Sequence, residues 1–197
     1  MAFGLTKMFI VASAGFITGA AIVLHYWSTH KPTAIDSSHQ VMEISKLKLV
    51  QVTPGFVMNP KDLECLAKNI FYEAALEPTM GKYAVAQVTL NRLRSGYWGN
   101  SICSVVYAPH QFSWTEDARK RNSRPGQAPL RGEHWESSLA VAQDFADGRR
   151  VSGLGYALYY HADYVKPGWR SPEHHVDTVG RHIFYDQARG TKISLTY

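Results

Sequence analysis

The sequence predicts an α+β fold, with a mainly helical core followed by short strands and an N-terminal transmembrane helix ahead of both. Three observations predict it. Apolar residues recur at helical spacing between residues 60 and 147, the segments after residue 156 are aromatic and extended, and Met8 to Leu24 is a run of 17 residues without a charge. A hydrophobic fraction of 45% against 19% charged residues belongs to a folded chain and excludes a disordered one. At 197 residues there is room for one compact domain and an appendage.

The appendage comes first. Counted on to Tyr26-Trp27, the uncharged run reaches the roughly 17–25 residues a bilayer-crossing helix needs. Lys7 before it and the aromatic pair after it fit a cytoplasmic start and an anchor at the outer interface, so residues 1–28 read as a single-pass inner-membrane segment with the rest of the chain in the periplasm. A cleaved signal is the competing reading, although the small-x-small site Ala12-Ser13-Ala14 sits inside the apolar run. Gly15 and Gly19 form a GxxxG pair, which allows close helix–helix approach and hence self-association. The many small residues also fit a weakly inserted span that later leaves the membrane.

Residues 29–59 read as a stalk. Thr29 to Gln40 is polar and contains Pro32, and Pro54-Gly55 marks a turn. Between them Val41, Ile44, Leu47 and Val50 recur at helical spacing, while Leu47, Leu49 and Gln51-Val52 alternate like a strand, and both readings stand. The globular domain is expected over 60–197. Asn59-Pro60 starts a helix whose apolar face is Leu63, Leu66, Ala67, Ile70 and Ala74, and Pro78 stops it near Leu76 or Glu77. Thr79 to Leu93, apolar on nearly all sides and closed by Gly96, is the expected central helix.

Ser101 to Tyr107 reads as a short helix ended by Pro109, and Gln111 to Thr115 as a strand or hairpin. Residues 117–132 form a basic surface loop, Glu133 to Asp147 is an amphipathic helix stopped by Gly148, and Tyr156–Tyr164 and Arg181–Tyr185 are extended. Lys and Arg number 21 against 16 Asp and Glu, an excess that favours an anionic partner. No basic block exceeds Arg119-Lys120-Arg121 and no nucleic-acid module signature occurs, so nucleic acid is not an expected partner.

Glu73 lies at the border of the apolar face of the first domain helix, near Leu66 and Ile70. A carboxyl half-buried against apolar groups holds its proton more tightly, as a general acid must near neutral pH. The other reading of such a position is a glutamate that reaches out to water. Glu77 follows four residues later, close enough to share the face, and Asp117 or Glu116 offers a second carboxylate should water need activation. Cys65 and Cys103 are an even pair in a chain expected to be exported, where one disulfide would staple the middle of the domain to its first helix. Two buried thiols are the alternative.

Asn69-Ile70-Phe71-Tyr72-Glu73-Ala74-Ala75-Leu76-Glu77-Pro78 resembles the first signature of the SleB/CwlJ cell-wall hydrolases, which reads roughly Tyr-x-Glu-Ala-Arg-Gly-Glu-Pro. The resemblance continues through Gly81, Ala84-Val85-Ala86-Gln87-Val88, Leu90-Asn91-Arg92, Cys103, Val105-Val106-Tyr107 and Gln111-Phe112-Ser113-Trp114. It resumes at Tyr160-His161-Ala162, Tyr164-Val165, Trp169 and Gly180 to Tyr185, so it covers about residues 60–186. The sequence departs from it at Ala75-Leu76, where Arg-Gly is usual.

The resemblance implies a lysozyme-like fold and lytic transglycosylase action on peptidoglycan, with Glu73 matching the catalytic glutamate and no cofactor. Phage endolysins released from a weak anchor are one setting for such a chain. Gln111, Ser113, Tyr160, His161, His182 and Tyr185 are the candidate groove residues, since aromatic rings stack on sugar faces while polar atoms bond the hydroxyls. Two other classes remain. His161, Asp163, His174, His175, Asp177 and His182 fall within 22 residues and offer the His and Asp ligand types of zinc amidases that act on the same polymer, though no His-Glu-x-x-His motif occurs. A non-catalytic wall-binding module is the third, and it has no use for a half-buried Glu73.

Overall fold

Asn59 sets the first domain helix. Its side chain accepts the Asp62 amide at 2.9 Å, Pro60 follows at the first helical position, and helix α1 runs Pro60–Ala74. In the computed structural model residues 47–52 and 57–187 are described. The chain divides into two units, residues 1–44 and 45–197, and the described residues belong to the second. The expected membrane helix, its GxxxG pair and the polar stretch after it lie outside the described residues. Among the described residues no helix is long and apolar enough to cross a membrane.

Leu66, Ala67 and Ile70 on α1 are fully buried, each large side chain contributing roughly 1.5–3 kcal/mol by leaving water. They pack against α5 (Glu133–Ala146) and against α2 (Thr79–Ser95). Helix α2 is buried without interruption from Gly81 to Arg92 and ends at Gly96, whose φ of 72° and amide bond to the Leu93 carbonyl close the last turn. It is the central helix that its all-round apolar sequence predicts. Most of its buried polar groups are matched to partners. Thr89 bonds Asn69 at 3.1 Å, and Gln87 bonds Asn91 and accepts the Val151 amide, both at 2.9 Å. Each such group left unpaired would cost about 1–3 kcal/mol.

Helix α3 (Ile102–Val106) opens with a reciprocal Ser101–Ser104 cap. Cys103 is joined to Cys65 of α1 by a disulfide with 5.2 Å between Cα atoms, and the Cys103 amide also donates to Asp62 at 2.9 Å. The stretch expected as a strand or hairpin at Gln111–Thr115 is instead a 3-10 turn over Ser113–Glu116. The Phe112 carbonyl is satisfied locally by the Thr115 amide and hydroxyl, which closes a tight turn and leaves no ladder to form. Within the basic loop a single helical turn, α4 (Ala118–Arg121), is capped by Asp117.

Two small antiparallel sheets complete the unit. Strand β1 (Lys48–Gln51) pairs with β2 (Arg149–Ser152), Lys48 opposite Ser152. Residues read from sequence as stalk are therefore a strand of the folded unit, about one hundred positions away from their partner. The second sheet has the order β3–β5–β4, from Tyr159–Ala162, His182–Tyr185 and His175–Val179. Strand β4 lies between the two segments expected to be extended and adds a strand to them, and the segment from Tyr156 shortens to β3.

Candidate active site

Glu73 stands on the last turn of α1 and is half-buried. The Tyr160 hydroxyl of β3 donates to Glu73 Oε2 at 2.9 Å. Burial pushes the Glu73 carboxyl above its usual range, against the opposing pull of the Tyr160 bond and of the Arg92 and Lys120 charges. Burial and the adjoining carboxylate raise the Tyr160 hydroxyl well above the ordinary tyrosine value, which keeps it a donor.

Tyr160 reaches Glu73 because α2 holds the start of β3. Asn91 Nδ2 donates to the Leu154 and Ala157 carbonyls at 2.7 and 2.9 Å, and Arg92 Nε to the Leu158 carbonyl at 2.8 Å. The Arg92 guanidinium is buried between the Trp98 and Phe112 rings, 5.2 and 5.0 Å from their centroids. Sequence reasoning gave Arg92 no role beyond its place in a motif. The available signal was the adjacent amide and guanidinium of Asn91-Arg92 in the helix expected to be central. Where the family signature carries arginine at the position of Ala75, the cations acting on Glu73 here are Arg92 and Lys120.

The pleat divides the candidate groove residues. Tyr160 and His182 share one face with Phe184, their rings 5.1 and 5.5 Å from the Tyr160 centroid, and this face meets Glu73. His161 and Tyr185 lie on the opposite face, stacked 5.4 Å apart beneath Trp169, with His161 Nε2 and the Tyr185 hydroxyl 3.1 Å apart. Alternation along the strands, the period-two rule, separates the same residues. His182 Nδ1 and Arg92 NH1 are the buried side-chain atoms without a hydrogen-bond partner among the described residues. Gln111 is half-buried with its amide on the Pro109 carbonyl at 3.2 Å, and Ser113 is exposed on the 3-10 turn.

The two secondary carboxylates are engaged in holding the fold. Glu77 Oε2 accepts the Arg181 amide at 2.9 Å and packs so tightly on Gly180 that a Cβ there would stand 2.0 Å from it. Asp117 caps α4 through the Arg119 amide at 2.8 Å, and that bond holds its carboxyl below the ordinary range. Glu116 pairs with His110 at 3.0 Å. The His/Asp set is likewise divided among separate contacts. His174 meets Asp186 at 3.0 Å, Asp163 meets Arg181 at 3.4 Å, His175 bonds Thr178, and Asp177 accepts the Thr178 amide. Among the described residues no three His, Cys, Asp or Glu side chains form a metal-holding group. An open cavity of about 820 Å³ lies on the Trp169 side of the sheet, away from Glu73, with Ile183 and Tyr185 in its wall.

A family model described as Cell Wall Hydrolase matches residues 76–185, which include Arg92, Tyr160 and His182 and begin just after Glu73. The chain is 32% identical over 136 residues to a spore cortex-lytic enzyme of Oceanobacillus iheyensis, covering 68% of this chain and 44% of that one. It is 29% identical over 137 residues to a spore cortex-lytic enzyme of Halalkalibacterium halodurans, covering 70% and 38%. The chain thus spans less than half the length of these curated relatives. Among solved structures, the catalytic domain of the germination-specific lytic transglycosylase SleB from Bacillus anthracis aligns with a TM-score of 0.51 and 28% identity, covering 68% of this chain and 99% of that one.

Proposed function

The chain belongs to the cell wall hydrolase family, and we propose that it cleaves peptidoglycan glycan strands by lytic transglycosylation, with Glu73 as its single acid and base. The observation that carries this reading is the half-buried Glu73 carboxyl, raised in pKa by burial and oriented by the Tyr160 hydroxyl. This reading takes the fold to be of the lysozyme-like kind, and its support is a helical core with short strands, one of which brings Tyr160 to the helix that carries the acid.

Protonated Glu73 gives its proton to the glycosidic oxygen between N-acetylmuramic acid and N-acetylglucosamine, the C1–O bond breaks, and an oxocarbenium-like sugar remains. The carboxylate then accepts the proton of the sugar's own C6 hydroxyl as that oxygen bonds to C1, closing a 1,6-anhydro ring and restoring the acid. The nucleophile is intramolecular, so no second carboxylate is needed to activate water. This agrees with Glu77 and Asp117 being engaged in the fold. Tyr160 stays protonated and holds Oε2 in place throughout, and His182 beside it offers a ring edge to the sugar.

Mass spectrometry of purified peptidoglycan after digestion tests the reading. Anhydro-muramic ends, absent with Glu73→Gln, are expected. Reducing ends would make the reaction hydrolytic, freed peptides would make it an amidase, and an unchanged polymer would leave a binding module.

The same reading places the catalytic unit on the periplasmic side of the inner membrane, tethered by residues 8–27 and able to self-associate through Gly15 and Gly19. Its support is Lys7, the uncharged run and the Tyr26-Trp27 pair. An alkaline phosphatase fusion at Tyr197 should be active and sediment with membranes after a high-salt wash. A soluble form beginning near residues 22–30 would show a cleaved signal, one retaining Met1 a released anchor, and a silent fusion would remove the export argument.

A further inference from the structure

We propose that residues 117–131 form a fixed cationic shelf beside Glu73 that binds the carboxylates of the stem peptides on the glycan being cut. This rests on peptidoglycan being the substrate. The segment carries five Lys or Arg residues and one carboxylate, so it holds four of the chain's five net positive charges.

The shelf is built onto the helix that carries Glu73. Lys68 of α1, only 4% exposed, donates Nζ to the Arg121 and Ser123 carbonyls at 2.9 and 3.0 Å. One turn on, the Tyr72 hydroxyl donates to Ser123 Oγ at 2.8 Å, and the Tyr72 ring stacks on Trp114 with centroids 4.7 Å apart. At the far end Leu130 is fully buried, and its carbonyl accepts the Gly126 amide at 2.8 Å. Lys68, Tyr72 and Glu73 therefore share one rigid mount, and the shelf keeps a fixed position relative to the acid.

The charges divide into two groups. Asp117 is committed to the α4 cap and to Arg119 at 3.7 Å, and Arg121 donates to the Thr115 carbonyl at 3.2 Å. Lys120, Arg124 and Arg131 are exposed and make no ion pair among the described residues. Lys120 Nζ lies 6.0 Å over the ring of Tyr72, the residue next to Glu73, and its charge acts on the Glu73 carboxyl. Burying a lysine amine to support a cluster of like charges opposes stability twice, through desolvation and through self-repulsion. An anionic ligand offsets both. Stem-peptide carboxylates, ionised at neutral pH and repeated along the polymer, supply that charge beside the bond to be broken.

The test uses full-length protein carrying Glu73→Gln, so that binding is read without cleavage. Its retention on purified sacculi is compared before and after the carboxylates are amidated. Native sacculi should be bound roughly tenfold more tightly at low salt, with the difference closing in about 0.5 M NaCl. Adding K120Q, R124Q and R131Q together should remove the difference while near-UV circular dichroism is unchanged. In the Glu73-containing protein R124Q and R131Q together, which leave Lys120 in place beside the acid, should raise KM with little change in kcat. Equal binding to native and amidated sacculi, or a difference that survives the triple substitution, overturns the shelf. So does equally tight, charge-dependent binding to anionic phospholipid vesicles, which would assign the cations to a membrane surface. A persistent binding difference with no glycan cleavage by the unmodified protein would keep the shelf and overturn the catalytic reading instead.

Discussion

The two faces of the β3–β5–β4 sheet carry the same residue types and do different work. On the inner face Tyr160 and His182 stand beside each other, and the Tyr160 hydroxyl meets a half-buried carboxyl on α1. On the outer face Tyr185 and His161 stack and bond to one another, under Trp169 and beside an open cavity. The inner tyrosine acts on a group that titrates, whereas the outer one fixes a ring. Aromatic composition cannot separate the two roles. What separates them is which face of the pleat is turned toward Glu73.

Glu73→Gln is the sharpest way to break that comparison, since everything distinctive about the inner face depends on this carboxyl. Glycan cleavage should fall by roughly two to four orders of magnitude. Stability should move the other way. Burial raises the folded-state pKa of Glu73, so its contribution to stability is present at low pH and is lost as pH rises through that raised value. Above it Glu73→Gln should melt higher, by about 2–4 °C, and at acid pH, where the wild-type carboxyl is protonated, the two melting temperatures should converge. A variant that melts lower at every pH would show the carboxylate to be an asset to the fold.

Tyr160→Phe should come next, with cleavage reduced roughly tenfold. The Tyr160 bond lowers the Glu73 pKa against the larger effect of burial. Its loss should therefore move the alkaline limb of the pH–rate profile to higher pH, because the acid keeps its proton longer. An unshifted limb would mean the hydroxyl orients the carboxyl without tuning it. Glu77→Ala removes the acceptor for the Arg181 amide at the β4–β5 turn, and should cost about 1 kcal/mol in thermal melts with cleavage reduced by about threefold through displacement of the sheet. Glu77→Gln, which still offers an acceptor, should recover most of both. Tyr185→Phe is the control on the outer face. It breaks the contact with His161, and should lower stability by about 1 kcal/mol while cleavage changes by less than about twofold. If it costs as much activity as Tyr160→Phe, the two faces are not functionally distinct.

Much of the fold is legible in local sequence. Asn59-Pro60, Pro78, Gly96 and Gly148 bound the long helices because caps and breakers act within one turn. The apolar period of α1 places Glu73 at the edge of the buried face for the same local reason. The 3-10 turn at Ser113–Glu116 escapes that reading, because Phe112-Ser113-Trp114 alternates like a strand and the Thr115 amide and hydroxyl, both bonded back to the Phe112 carbonyl, fold it tightly.

By itself the sequence determined the long helices, their order and the central position of Thr79–Ser95, since each is written in hydrogen bonds and apolar spacing over four or fewer residues, whereas Glu73 stands out from other helix-edge carboxyls through the resemblance of Tyr72 to Pro78 to the cell-wall hydrolase signature. The tertiary structure alone decided what depends on distant partners. It paired Lys48–Gln51 with Arg149–Ser152, turned Tyr160 and not His161 toward Glu73, assigned Glu77 to a backbone amide, and placed the Arg92 cation within electrostatic reach of the acid. Strand alternation fixes that neighbouring side chains point in opposite directions, but which direction is inward is set by the helix that packs on the sheet.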